Sequence, residues 1–228
     1  MKLGLLTAAF PELGLQEIAE WASKNQFETL EIACWPVGKA TRRYAGVTTI
    51  DIEGLDQKKA NSALEILTKY NLEISALAYY PNPLHPDLEH REFVINHLKK
   101  VIDAAPLLMK NPIVGTFIGK DKDKTIEVNL EEFAQVWPGI IAYAKKRGVR
   151  IAIENCPMIF SYDEYPGGLN LANSPKVLRK LFEIIPDDNF GLNLDPSHLI
   201  WQMIDVSRFI QEFGSRIFHV HAKDMDID

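Results

Sequence analysis

His219, His221 and Lys223 alternate in the stretch IFHVHAKD, Ile217 to Asp224. In an extended chain that period of two points all three side chains to one face. Two earlier hydrophobic runs also turn polar at their ends. RIAIENCPM (Arg150 to Met158) ends its apolar part on Glu154, and NFGLNLDPSH (Asn189 to His198) ends on Asp195, with His198 three residues later. Glu154, Asp195 and His221 thus offer two carboxylates and an imidazole, a ligand set that suits a catalytic divalent metal, with Mn, Zn and Mg all compatible. Each residue also has an ordinary reading. Glu154 can cap a loop or bridge to an arginine, and Asp195, ahead of Pro196, can form an Asx-type turn or a helix cap. A carboxylate following Ile151-Ala152-Ile153 is costly to bury unless paired or metal-bound, and the metal reading gains when the three are taken together, because all three would face the same mouth of a barrel.

The neighbouring residues divide in the same way. His219 shares the parity of His221 one layer deeper, as a hydrogen-bonded core histidine or a group that orients a ligand. His198, in the loop after Asp195, can touch substrate, the metal or neither. Lys223 can bind an anionic or carbonyl oxygen, or pair with Asp224. Trp35, Tyr79, Tyr80 and Phe117 are either the wall of a pocket or plain core. His85, His90 and His97 read as helix-surface or loop residues.

Seven strands can be read to carry these side chains: Leu3 to Ala8, Thr29 to Cys34, Glu73 to Tyr79, Ile113 to Ile118, Arg150 to Glu154, Phe190 to Asp195 and Ile217 to Ala222. They are short apolar runs of the kind that parallel strands use. Between them, Leu15 to Lys24, Gln57 to Tyr70, Leu88 to Met109, Leu130 to Lys146, Pro175 to Ile185 and Val206 to Phe213 repeat apolar residues at helical spacing. Asn129 and Ser174 read as helix N-caps, and Gly148 and Gly214 as helix stops. Such βα alternation makes a doubly wound sheet or a (β/α)8 barrel. Polar residues at the ends of several strands, and no phosphate-binding glycine motif after the first, favour the barrel, as one domain over residues 1–228.

Composition narrows the partners. With 46% hydrophobic and 25% charged residues the chain has material for a core, and a net charge of −6 disfavours nucleic acid. Cys34 and Cys156 read as free thiols, and no signal peptide or membrane span is legible, which predicts a cytoplasmic protein. Self-association is compatible with these features.

The segments IENCPM, GLNLDPSHL and HVHAKD, with ALAYYPNPLHPD after the third strand, resemble the xylose-isomerase-like TIM-barrel superfamily over essentially the whole chain. That resemblance implies a sugar or sugar phosphate isomerase or epimerase, acting by proton abstraction next to a carbonyl with a metal-stabilised enediolate. It implies a divalent metal on Glu154, Asp195 and His221 and substrate contact by His198. A pocket of Trp35, Tyr80, Asn82, His198 and Lys223 is expected around the metal, with Glu154 and Lys223 as catalytic groups. An endonuclease-IV-like phosphodiesterase and a non-catalytic sugar-binding barrel are the alternatives. The pattern departs from the ketose 3-epimerases at Phe160 and Ile227, where those enzymes carry a glutamate and an arginine. The superfamily's fourth ligand is a glutamate on strand eight, and only seven strands are readable here. The expectation is therefore a barrel lacking its eighth βα unit, completed by about 40 or more further residues or by another chain. These residues alone should bind metal weakly and turn over poorly.

Overall fold

The structure, a computed structural model, describes residues 1–38, 45–159 and 168–226. Its strands are β1 (Gly4–Leu6), β2 (Thr29–Ala33), β3 (Glu73–Ala78), β4 (Ile113–Thr116), β5 (Arg150–Glu154), β6 (Phe190–Leu194) and β7 (Ile217–Val220). They are hydrogen-bonded in chain order, β1 through β7. The helices are α1 (Leu15–Lys24), α2 (Gln57–Lys69), α3 (Leu88–Leu108), α4 (Ile126–Lys145), α5 (Pro175–Ile184), α6 (Ser197–Ile200) and α7 (Val206–Phe213). Every residue of β2 and β6 is buried, as expected of parallel strands covered on both faces. None of the described helices is long and apolar enough to cross a membrane, and both cysteines are free.

The chain divides into two compact units. The first comprises residues 1–80, 97–114 and 147–149. Here β1, β2 and β3 pair in parallel, Gly4 opposite Thr29 and Leu30 opposite Ile74. The first strand is shorter than its sequence suggests, because Thr7–Ala9 turn into a 3-10 helix. The Thr7 hydroxyl there accepts from Ala33 N and from the Thr49 hydroxyl, both at 2.8 Å. His97, expected at a surface or in a loop, is 7% exposed. Its ring packs 4.6 Å from Tyr79, and its Nε2 donates to the Cys34 carbonyl at 2.8 Å. Burial holds this imidazole below its ordinary value of 6.5.

The second unit comprises residues 81–96, 115–146 and 150–228. In it β5, β6 and β7 pair in parallel over an aromatic core of Phe133, Trp137, Phe182, Phe190 and Phe213. The buried Trp137 indole donates to the Ile118 carbonyl at 3.1 Å, so its one polar group is satisfied. Arg216 enters β7 with its guanidinium 5.0 Å over Phe182 and donates to the Phe190 carbonyl at 2.9 Å.

Two helix signals read differently in three dimensions. Asn129 does not cap a helix beginning at Leu130; α4 starts a turn earlier and the Thr125 hydroxyl accepts from Val128 N. Asn129 instead lies buried and ties the preceding loop to the helix, accepting from Asp121 N at 2.8 Å and donating to the Asp121 carbonyl at 3.0 Å. Gly214 keeps a helical φ of −52° and runs into a 3-10 turn. The short α6 after Asp195 has no sequence periodicity to announce it.

Gly191 marks a close approach between β6 and β7: a Cβ there would meet the Arg216 carbonyl oxygen inside van der Waals contact and the Phe218 ring at 2.5 Å. Gly191→Ala should therefore destabilise the protein by about 1–3 kcal/mol through overpacking, measured by urea unfolding. Unchanged stability would show that β6 and β7 can separate at no cost.

Candidate metal centre

Strand register decides which side chains can meet. Glu154 pairs with Asn193, and Asn193 pairs with His219. Asp195 lies two residues beyond Asn193 and His221 two beyond His219, so parity puts all five on one face. Glu154 ends β5, Asp195 follows β6 and His221 follows β7. One carboxylate oxygen of Glu154, one of Asp195 and one ring nitrogen of His221 lie within 4.8 Å of one another. Ligand atoms held at about 2.0–2.2 Å around a divalent ion lie about 3–4 Å apart, so this donor set fits such an ion with little movement. Two carboxylates and an imidazole suit Zn, Mn or Mg and do not choose among them.

Each carboxylate has its oxygens in different surroundings. Asp195 Oδ1 accepts from Ser197 N at 2.9 Å and from the Ser197 hydroxyl at 2.6 Å. Its Oδ2 faces His198 Nε2 at 3.3 Å and Lys223 Nζ at 3.4 Å. Glu154 points Oε1 toward His198 Nε2 and Oε2 toward His221 Nδ1, each at 3.7 Å. Lys223 thus pairs with Asp195 across the strands, and its side chain is 58% exposed. Burial lowers the pKa of His198 against the opposing pull of Asp195 and Glu154, leaving a neutral imidazole able to donate one hydrogen bond and accept another.

Glu154, Cys156 and His198 form another group of suitable spacing. Burial, with Glu154 beside it, pushes the Cys156 thiol up to about 12. A thiol so costly to deprotonate is a poorer ligand than the Asp195 carboxylate.

Buried amides set the backbone of the site. Asn155 Nδ2 donates to the Asp195 carbonyl at 2.9 Å and Asp195 N donates to Asn155 Oδ1 at 2.7 Å, a reciprocal clamp between the ends of β5 and β6. Asn170, fully buried, donates to the carbonyls of Glu154 at 3.0 Å and Cys156 at 2.7 Å. Its Oδ1 accepts from Ile118 N at 3.1 Å and Gly119 N at 3.2 Å. Asn82, expected to contact substrate, has its amide committed to the backbone: Nδ2 donates to the Lys120 carbonyl and Oδ1 accepts from Lys120 N, both at 2.9 Å. Trp35 and Tyr80, the other expected pocket residues, belong to the first unit. There the Tyr80 hydroxyl donates to Glu31 at 2.6 Å, and the Trp35 ring lies 6.2 Å from that of Tyr80. His219, less buried than a core residue, reaches Asn193 Oδ1 at 3.0 Å through Nδ1. Phe160 and Ile227 lie outside the described residues.

Sequence reading does not single out Asn155, Asn170, Asn193 or Ser197. Asn193 stands in the same alternation as Asp195, and that parity is the signal that could find it. Asn170 sits in a loop with no period.

Asn170→Leu should cost about 2 kcal/mol or more in urea unfolding, since it strands buried N–H and carbonyl groups. The same variant should bind zinc at least tenfold more weakly in calorimetry, because the end of β5 loses its brace. Wild-type values for both would remove Asn170 from the site.

A family model described as xylose isomerase-like TIM barrel matches residues 19–228. Among curated proteins, an uncharacterized protein of Bacillus subtilis, YfiH, is 28% identical over all of this chain and 74% of its own length. A solved structure of a probable 3-DHS dehydratase, AsbF, from Bacillus anthracis superposes with a TM-score of 0.74 at 19% identity, over 100% of this chain and 74% of that one. A D-psicose 3-epimerase from Clostridium cellulolyticum H10, solved with D-tagatose, gives 0.70 at 17% identity over 97% and 72%. The IolI protein, solved with a bound zinc atom, gives 0.68 at 18% identity over 97% and 72%. Parallel strands in chain order and helices between them agree with that match over most of the sequence, and the chain belongs to the xylose isomerase-like TIM-barrel family.

Proposed function

We propose that this protein is a divalent-metal-dependent isomerase or epimerase of a small sugar or sugar phosphate. The convergence of Glu154, Asp195 and His221 donor atoms within 4.8 Å carries the reading. The zinc bound by IolI and the presence of a D-psicose 3-epimerase among the fold neighbours support it. When bound, the ion supplies positive charge that stabilises negative charge developing on adjacent carbonyl and hydroxyl oxygens of the substrate.

The chain's own groups then have separable roles. Glu154, Asp195 and His221 hold the ion. Glu154 is also the carboxylate at the site that can take the proton next to the carbonyl. His198, neutral and 3.3 Å from Asp195 Oδ2, donates or accepts at a substrate hydroxyl. Lys223, exposed and 3.4 Å from Asp195 Oδ2, offers an ammonium to a carbonyl or phosphate oxygen. The net charge of −6 speaks against a polyanionic nucleic acid as substrate. Mainly backbone roles for Asn82 leave selectivity to His198 and Lys223 in the second unit.

The test is a panel of ketoses and ketose phosphates incubated with protein loaded with zinc, manganese or magnesium and with chelated protein, the products separated by chromatography. Interconversion to an aldose or an epimer that stops on chelation is expected. His198→Ala should lower kcat/KM about a hundredfold while leaving the unfolding midpoint in place. A dehydrated product would move the reading to a lyase, and equal turnover after chelation would remove the metal from it.

A further inference from the structure

One polar cluster behind the metal ligands is not used by the chemistry above. Asn193, on β6 with no exposed surface, lies between His219 on β7 and His221 just beyond that strand. Its Nδ2 is 3.0 Å from His221 Nε2, and its Oδ1 is 3.0 Å from His219 Nδ1. The two imidazole rings stand 5.7 Å apart and nearly perpendicular. An amide N–H can donate only to a ring nitrogen that has a lone pair. In this arrangement a neutral His221 therefore carries its proton on Nδ1, while Nδ1 of His219 is protonated and donates to Asn193.

That tautomer is the wrong one for metal binding. His221 Nδ1 is the atom turned toward Glu154 Oε2, at 3.7 Å, and so the atom that an ion shared with Glu154 would take. Ligation requires a lone pair on Nδ1 and moves the proton to Nε2. An Nε2–H facing the Asn193 NH2 group opposes two donors at 3.0 Å in a buried place, which is unfavourable. Half a turn of the amide resolves the conflict. Oδ1 then accepts from His221 Nε2–H, and Nδ2 donates to His219 Nδ1, whose proton leaves to solvent while another arrives on its Nε2, so that this ring stays neutral. On His221 the proton leaves Nδ1 to solvent and another arrives on Nε2, so the ring stays neutral.

We propose that Asn193 is a positioning residue that selects the ligating tautomer of His221, its amide turning when the metal binds and passing the change to His219. This rests on the metal-centre reading above. His219 is thereby a reporter of occupancy that need not itself touch the ion. Leucine at 193 keeps the branched shape and offers His221 no hydrogen bond, whereas aspartate can only accept, which favours Nε2–H on His221 at all times.

The test uses the full chain with 15N-labelled histidine, above the ordinary histidine pKa, with and without zinc, which is diamagnetic. Zinc should convert His219 Nδ1 from a protonated to a lone-pair signal in long-range 1H–15N spectra, and His221 Nε2 from lone-pair to protonated. In calorimetry Asn193→Leu should bind zinc about ten- to a hundredfold more weakly, while Asn193→Asp stays near the wild-type affinity. If zinc binds but His219 Nδ1 keeps its signal, or if the leucine variant binds like the wild type, the role of Asn193 is overturned and the metal centre stands. If the wild type binds no zinc, both fall.

Discussion

Two carboxylates buried next to each other at the ends of β5 and β6 are the constraint on which the second unit's organisation turns. Glu154 is 8% and Asp195 1% exposed. Held apart from solvent, such groups need positive charge or hydrogen-bond donors. The protein meets part of that need with its own groups. The Ser197 hydroxyl and N–H satisfy one oxygen of Asp195, and Lys223 approaches the other. The imidazoles of His198 and His221 approach Glu154 only to 3.7 Å, longer than a hydrogen bond. The proposed divalent ion would complete the arrangement by supplying the positive charge that the two carboxylates call for.

Side chains can be buried this way only on a rigid backbone. Rigidity here comes from asparagines whose amides replace sheet hydrogen bonds where the strands stop. Asn155 clamps the ends of β5 and β6, and Asn170 ties the backbone after β5 to residues 118 and 119. An amide suits the task because it donates and accepts in one plane without charge. A second carboxylate or a lysine there would add to the electrostatic load that the ligands already create.

How much of this the sequence reveals follows from which interactions are local. The strands, the βα alternation and the parity of Glu154, Asp195, His219 and His221 are periodic, and periodicity is visible in one dimension. Register then brings three ends together, and the short apolar runs of β5, β6 and β7 leave little freedom in register. The braces are not legible, because Asn170 and Glu154 are 16 positions apart in sequence with no period linking them, and His97 and Cys34 are 63 apart. Asn82 reads as a substrate contact because it follows a strand end, yet its amide is taken up by the N–H and carbonyl of Lys120, just after Gly119 with its φ of +81°. Asn129 reads as a cap for a related reason: asparagine before an amphipathic stretch is a local signal, and the tertiary loop it binds is not.

The most direct test of the central claim is a crystal of the protein grown with zinc, with anomalous diffraction recorded on both sides of the zinc absorption edge. One ion is expected, bound by Glu154, by Asp195 Oδ2 and by His221 Nδ1, at about 2.0–2.2 Å from each. An ion held instead by Cys156 and His198, or no anomalous peak near Glu154 at saturating zinc, would contradict it.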